Sequence, residues 1–165
     1  GNQPGTGMAH LFNYAGAPWL TQKWVRKVKA AYSDVTPYGG YRDDEDQGQM
    51  GALGVLMAIG LFEVDGGCAE KPFYEITSPL FDKVTIHLDN RYYPGKTFQI
   101  ITVGNSADNM YIQRASFNGK KWNKCWFYHE DFIKGGTLEL QLGTTHNKKW
   151  GIEEFPPSSV SSDKD

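Results

Sequence analysis

Residues 50–62, MGALGVLMAIGLF, form the longest apolar run of the chain, and this run decides the fold class. It is too short to cross a bilayer as a helix, which requires about 20 apolar residues. We therefore predict no membrane span and a buried helix from about Gly48 to Phe62. A helix that is apolar on every side needs neighbours on every side.

One amphipathic helix accompanies this apolar helix, because apolar residues recur at helical spacing from about Trp19 to Ser33. Either a sheet covers the remaining faces, or further helices lie upstream on the same polypeptide; we favour upstream helices. Gly48, Gly51 and Gly54 fall on one face of the apolar helix. Because glycine weakens a helix, this face predicts the close approach of another helix.

From Gly66 onward the apolar residues alternate with polar ones, which is typical of strands. The candidate strands are Tyr74–Thr77, Val84–Leu88, Phe98–Val103, Tyr111–Phe117, Trp126–Tyr128 and Thr137–Leu142. We therefore predict an α+β fold with three regions. Residues 1–65 form a helical segment, residues 66–151 a small antiparallel sheet or half-sandwich, and residues 152–165 an irregular tail.

The composition narrows the class of function. The charge is nearly balanced, with 17 Lys and Arg against 19 Asp and Glu, and this argues against nucleic-acid binding. Aromatic residues make up 14% of the chain, which suits a packed core and also sugar binding. Cys68 and Cys125 match no zinc or redox spacing and are either a disulfide or two buried thiols. His87, His129 and His146 are interpreted as surface or packed residues.

An acidic run, Asp43-Asp44-Glu45-Asp46, stands directly before the apolar helix. Like charges repel, so such a run needs a physical use. The carboxylates could bind a hard cation such as calcium, or one could act as a general base. Alternatively, the acids simply complement the positive end of the helix dipole. The residues alone leave all three interpretations open.

Four groups of segments, in order and in register, resemble glycoside hydrolase family 92, the exo-acting α-mannosidases. The first resembles the family's GNEP and LYNYAGxPW sequences, the second its acidic xD/EDxGQM motif and the third its IGSPLF sequence. The corresponding segments here are Gly1–Pro4 with Leu11–Trp19; Asp44–Met50; Ile76–Phe81; and Tyr111–Gln113, Asn118–Lys120, Gly135–Leu138 and Asn147–Gly151.

This resemblance implies an architecture. Members of the family pair an amino-terminal β-sandwich with a catalytic (α/α)6 barrel. The chain would supply the last barrel helices and the strands that follow them. The upstream part of the same enzyme is then its partner, and the general acid, a glutamate that precedes the GNEP segment in the family, is expected there. Without it, this chain alone would be inactive.

The resemblance also implies a mechanism, the calcium-dependent hydrolysis of terminal α-mannosides of glycans with inversion. The acidic motif supplies the base, and by position the candidates are Asp46 and, less firmly matched, Asp44. Asn2, Gln3 and Asp46 are the implied calcium ligands, and Gln3 and Thr6 the implied substrate contacts. The chain departs from the family at Gln3, where the family has glutamate, and at Gly5-Thr6, where it has Ser-His.

The implied location is periplasmic or secreted. The alternative function is a non-catalytic carbohydrate-binding or structural β-sheet module. That interpretation is motivated by the aromatic-rich strand region and by the missing general acid.

Overall fold

A computed structural model describes residues 5, 7–32, 35–36, 39–40 and 48–158. Within these ranges a helical part precedes a β part, as the α+β prediction requires. The helices are a short 3-10 helix at Met8–His10, α1 at Leu11–Tyr14, α2 at Pro18–Ala30, α3 at Gln49–Ile59 and α4 at His129–Ile133. None of the helices in these ranges is both long enough and apolar enough to cross a membrane.

Helix α2 is the predicted amphipathic helix, and its sequence explains both of its ends. Pro18 occupies the first turn, where its missing N–H is no loss. Lys27 and Lys29 lie in the last turn, where positive charge complements the helix dipole. Its buried residues are Pro18, Thr21, Gln22 and Val25, which share one face at spacings of three and four.

Helix α3 is shorter than predicted, because Gly60 ends it. Gly60 adopts a left-handed conformation with φ of +80°, and its N–H is bonded to the carbonyl of Leu56. The next two residues, Leu61 and Phe62, form strand β1 rather than the last helical turn, so that part of the prediction is wrong. Glycine takes this conformation easily and is common directly after a helix.

The predicted close approach on the glycine face of α3 is confirmed at one position. A Cβ atom on Gly54 would lie 3.2 Å from the Tyr32 ring, which follows α2. Gly48 and Gly51 are exposed in the structure. Val55, also on α3, is 61% exposed, so this helix keeps an open apolar face.

The strands form two sheets. A three-stranded antiparallel sheet has the order β1-β2-β7, and a five-stranded sheet has the order β3-β4-β8-β5-β6. The strands are β1 (Leu61–Phe62), β2 (Phe73–Ile76), β3 (Lys83–His87), β4 (Thr97–Val103), β5 (Tyr111–Phe117), β6 (Lys120–Lys121), β7 (Trp126–Tyr128) and β8 (Gly136–Gly143).

One strand pair corrects the prediction of a purely antiparallel sheet. Strands β4 and β8 run parallel, with Phe98 opposite Gly136 and Val103 opposite Gln141. A parallel pair requires a long crossover. Strands β5, β6 and β7 together with α4 lie between β4 and β8 and provide it.

The main core lies between the two sheets and is rich in aromatic rings. Phe127 of the three-stranded sheet stacks on Phe98 of the five-stranded sheet, with ring centroids 5.5 Å apart. It also contacts Phe117 at 5.4 Å. Ile100, Leu138 and other apolar residues of the second sheet complete this cluster. The packing of sheet on sheet agrees with the predicted half-sandwich.

Replacing Gly60 with alanine is expected to destabilise the protein strongly. The new Cβ would lie 2.7 Å from Pro79 Cγ, and the left-handed backbone conformation adds strain. We expect a loss of more than about 2 kcal/mol in the free energy of unfolding, measured by chemical denaturation. Gly66→Ala is the matched control, since Gly66 has φ of +63° with no atom near its Cβ position. Equal losses in the two variants would contradict the steric argument.

Candidate functional site

The residues that the sequence predicts for catalysis, substrate binding or metal binding all lie outside the described ranges: Asn2, Gln3, Thr6, Asp44 and Asp46. The structure describes the segments that follow them. Gly7 comes directly after Thr6, and Gly48 comes two residues after Asp46. We therefore locate the candidate site from the positions of these two flanking segments.

The two flanking segments border one apolar groove of about 640 Å³. Met8, His10 and Leu11 line it from the first segment, and Met50 and Leu53 line it from α3. Residues of α1 and α2 and of the turns after them complete the wall. The structure thus brings together the flanks of both predicted site segments.

A buried polar cluster lies beside this groove. The Glu75 carboxylate of β2 accepts a hydrogen bond from Asn13 Nδ2 of α1 at 2.5 Å. The same oxygen, Oε2, lies 3.1 Å from His10 Nδ1. All three side chains are buried, with Glu75 0% and His10 1% exposed. One carboxylate oxygen of Glu75 therefore contacts both Asn13 and His10, which lie 62 and 65 positions earlier in the chain.

A neighbouring phenol responds to this carboxylate. Burial, then the charge of Glu75 and a hydrogen bond to it, raise the pKa of Tyr14 well above its ordinary value. Tyr14 is therefore a further polar neighbour of the cluster.

Arg26 of α2 makes a second polar contact between helices and strands. Its Nε donates to the carbonyl and to the hydroxyl of Ser78, both at 3.1 Å. Its Nη2 donates to Pro79 O and to Asn105 Oδ1. Burial lowers the pKa of the guanidinium, and the acceptors that it contacts are neutral.

A larger groove of about 1,060 Å³ lies on the outer face of the five-stranded sheet. Arg114, Lys121, Glu139 and Lys149 line it, together with several amide side chains. No residue of either flanking segment borders this groove. We therefore place the candidate site at the smaller apolar groove.

The sequence matches a known family over most of its length. The family model described as "Glycosyl hydrolase family 92 catalytic domain" matches residues 1–144. The chain belongs to glycosyl hydrolase family 92. The resemblance inferred from the four groups of motifs is therefore confirmed.

Relatives agree with this assignment to family 92. An uncharacterized secreted glycosidase of Arthroderma benhamiae is 36% identical over 163 residues, which is 96% of this chain and 20% of that protein. The family GH92 α-mannosidase BT3965 of Bacteroides thetaiotaomicron superposes with a TM-score of 0.85 at 30% identity, over 96% of this chain and 21% of that one.

A third similar protein is the family GH92 inverting mannosidase BT2199 of Bacteroides thetaiotaomicron VPI-5482. Its TM-score is 0.80 at 36% identity, over 95% of this chain and 20% of that one. The family 92 chain described here thus spans about a fifth of the length of these relatives.

Sequence reasoning did not single out His10, Asn13 or Glu75. Glu75 carried a usable signal, because it is a charged residue inside the apolar strand Phe73–Ile76. His10 carried a weaker signal, because it is a titratable residue directly before the apolar residues that begin α1. A buried charge needs a partner, but the pattern of residues does not reveal one 65 positions away.

Arg26→Lys is expected to destabilise this family 92 chain although it keeps the charge. Lysine cannot reproduce the fork that reaches Ser78, Pro79 and Asn105 together. We expect a loss of about 1.5–3 kcal/mol in the free energy of unfolding, measured by denaturation. Arg114→Lys, at an exposed position, is the control and should change stability by less than about 0.5 kcal/mol. Similar losses in both variants would contradict the assigned role of Arg26.

Both cysteines are free thiols, so the predicted alternative of a disulfide between them is excluded. The other alternative, two buried thiols, is excluded because only one of them is buried. Cys68 is exposed and Cys125 is buried. Burial, with the charge of Glu75, raises the pKa of the Cys125 thiol to about 12. A thiol that stays protonated reacts slowly with alkylating agents.

Iodoacetamide at pH 8 should therefore label Cys68 in the folded protein and leave Cys125 unmodified. Both cysteines should react after denaturation. Peptide mapping by mass spectrometry measures each site separately, and Cys68→Ser is the control that removes native labelling. Fast native labelling of Cys125 would contradict its burial.

Proposed function

We propose that this chain is the carboxy-terminal part of the catalytic region of a calcium-dependent, inverting α-mannosidase that hydrolyses terminal α-mannosides of glycans. Membership of family 92 and the printed names of the mannosidases BT3965 and BT2199 support this proposal. The structural observation that favours it most is the apolar groove, because the flanks of both predicted site segments border it.

The open apolar surfaces support the proposed position in a longer helical domain. Val55 of α3, which does not line the groove and is exposed, lies on a face that further barrel helices would cover. In this proposal residues 1–65 belong to the (α/α)6 barrel, residues 66–151 to the β region and residues 152–165 to the tail. The upstream part of the polypeptide supplies the other helices and the general acid.

Asp46 is the proposed general base, with Asp44 as the second candidate. The ionised carboxylate of Asp46 takes a proton from a water molecule as that water attacks the anomeric carbon. The upstream acid protonates the departing glycosidic oxygen from the opposite face. Inversion requires about 6.5–9.5 Å between the two carboxyl groups, which leaves room for the water.

The proposed calcium ligands have suitable chemistry. Asn2 and Gln3 offer amide oxygens and Asp46 offers a carboxylate, and calcium prefers oxygen donors of these kinds. When bound, calcium would supply charge that holds the sugar through its hydroxyl groups. Gln3 and Thr6 are the proposed direct contacts with the sugar. Within the described ranges no group of three or more His, Cys, Asp or Glu side chains is arranged to hold a metal.

The proposed location is outside the cytoplasm, in the periplasm or secreted. The similar protein of Arthroderma benhamiae bears the name of a secreted glycosidase. The proposed substrate, a mannose-containing glycan, is found mainly on exported and cell-surface molecules.

Asp46→Asn in the complete polypeptide is expected to lower kcat for an aryl α-mannoside by roughly 10²–10⁴, because the water loses its base. KM should change much less. Asp108→Asn, at an exposed loop position, is the control and should retain full activity. Full activity in Asp46→Asn, or none in the wild type, would refute the proposal.

Two measurements on the wild type separate the finer parts of the proposal. Proton NMR of the released sugar should show β-mannose first if the reaction inverts the anomeric carbon. A chelator should abolish activity, and added calcium should restore it. Calcium-dependent mannose binding without hydrolysis would instead support a carbohydrate-binding module.

A further inference from the structure

The larger groove, on the outer face of the five-stranded sheet, is separate from the candidate site. Its volume is about 1,060 Å³, and its walls come from β5, β6, β8 and the loop after β8. We propose that this sheet groove binds a glycan that carries an anionic group, which is a phosphate, a sulfate or a carboxylate. This binding role goes beyond the hydrolysis of mannosides and does not depend on it.

The charges of the sheet groove are predominantly positive. Arg114, Lys121 and Lys149 line it with exposed side chains. Of the described residues in its lining, Glu139 alone is acidic, and its carboxylate accepts a hydrogen bond from Ser116 Oγ at 3.0 Å. Within the described part of the chain, none of the three cations pairs with a carboxylate. Unpaired positive charge collected in a concave surface favours an anionic ligand.

The sheet register brings two of these cations together. Lys121 of β6 lies opposite Ser116 of β5, and Arg114 precedes Ser116 by two residues on the same face. From strand spacing and rise, the Cα atoms of Arg114 and Lys121 are about 8 Å apart. Side chains of this length reach a shared anion from that separation. The guanidinium can hold phosphate, sulfate or carboxylate through two parallel hydrogen bonds.

Hydrogen bonds to the backbone hold one wall of the sheet groove in place. Asn147 Nδ2 donates to Gln113 O at 3.0 Å, and Gln113 Nε2 donates to Thr145 O at 2.7 Å. Asn147 Oδ1 accepts from the N–H of Lys149 at 2.9 Å, which fixes the backbone of the third cation. A polar outer face is ordinary for a sheet with one side exposed, but such a face needs no braced wall. A preformed wall lowers the cost of ordering on binding.

The remaining lining suits sugar hydroxyl groups. The side-chain amides of Asn123 and Gln141 line the groove and make no hydrogen bond within the described part of the chain. Each amide is both donor and acceptor, as a hydroxyl group requires. Single-stranded nucleic acid stacks on exposed rings, whereas Trp150, the aromatic residue of the lining, is only 3% exposed. The volume suits an organic ligand rather than an isolated ion. An anionic glycan therefore fits the groove best.

Titration calorimetry on the complete polypeptide tests this inference with mannose 6-phosphate, glucose 6-sulfate and trigalacturonate. At least one should bind roughly tenfold more tightly than its uncharged counterpart and than inorganic phosphate or sulfate, and the one that binds identifies the anion. Its affinity should fall as salt is raised. Binding of none of the three would refute the proposal, and so would equal binding of the uncharged sugar or the inorganic anion.

A pair of charge-matched variants assigns the binding to the sheet groove. Arg114→Gln with Lys121→Gln should weaken the binding of the anionic sugar at least roughly tenfold. Lys83→Gln with Lys120→Gln removes the same charge at exposed positions of the same sheet that do not line the groove. This control should bind within roughly twofold of the wild type. Equal losses in the two double variants would show a general charge effect and contradict the proposal.

Gln141→Glu is a second variant that keeps every cation of the groove. Gln141 lies opposite Arg114, so the new carboxylate should compete with the ligand and weaken binding roughly tenfold. It decides the question if the first double variant fails to fold, because unchanged binding in Gln141→Glu would then overturn the proposal. Binding of polyglutamate, but of no anionic sugar, would assign the groove to an acidic polypeptide instead. A wild type that fails to hydrolyse mannosides leaves all of these binding measurements valid.

Discussion

The fold depends on one buried segment, Glu75–Pro79, where the helical part and the β part are joined. Glu75 binds the first helical segment, and the Thr77 N–H donates to Gly60 O at 2.8 Å, just after α3. Ser78 and Pro79 accept hydrogen bonds from Arg26 of α2. These five residues thus contact the first helical segment, the residue that ends α3, and α2.

This arrangement places the candidate site on the helical side of the join and the aromatic core on the other side. The three-stranded sheet contributes Phe127 to the inter-sheet core and Glu75 to the helices. The groove walls are therefore linked to the ring-packed sandwich, and they also pack on one another through Val25, Leu53 and Met57. Sites built on such anchored elements keep their geometry better than sites on free loops.

Much of the secondary structure could be predicted, because it depends on local pattern. The alternation of apolar residues located strands such as Thr97–Val103 and Tyr111–Phe117 to within a residue or so. The parallel pairing of β4 with β8 could not be predicted, since alternation reveals a strand but not its partner. The end of α3 was misplaced because the fit of Gly60 against Pro79 is a long-range contact. Helix α4, at five residues, is too short to show a period.

For the site, too, features that depend on local sequence could be predicted and features that depend on long-range contacts could not. Asp46 and Gln3 could be proposed from the sequence because they lie in short motifs that can be recognised without a fold, and their roles stay predictions. The cluster of His10, Asn13 and Glu75 could not be predicted from a motif. Asn13 and His10 are 62 and 65 positions from Glu75 and become its neighbours only after folding. The motifs therefore identify the groups proposed for the chemistry. Only the structure shows that His10, Asn13 and Glu75 are neighbours.

The position of β8 also has a consequence for synthesis on the ribosome. This strand lies at the centre of the five-stranded sheet, between β4 and β5, yet it is the last strand to be made. A nascent chain that has emerged only as far as Ile133 has β4 and β5 without the strand that joins them. Their apolar faces then remain open to chaperones or to other nascent chains. The five-stranded sheet is complete only when Gly136–Gly143 has left the exit tunnel.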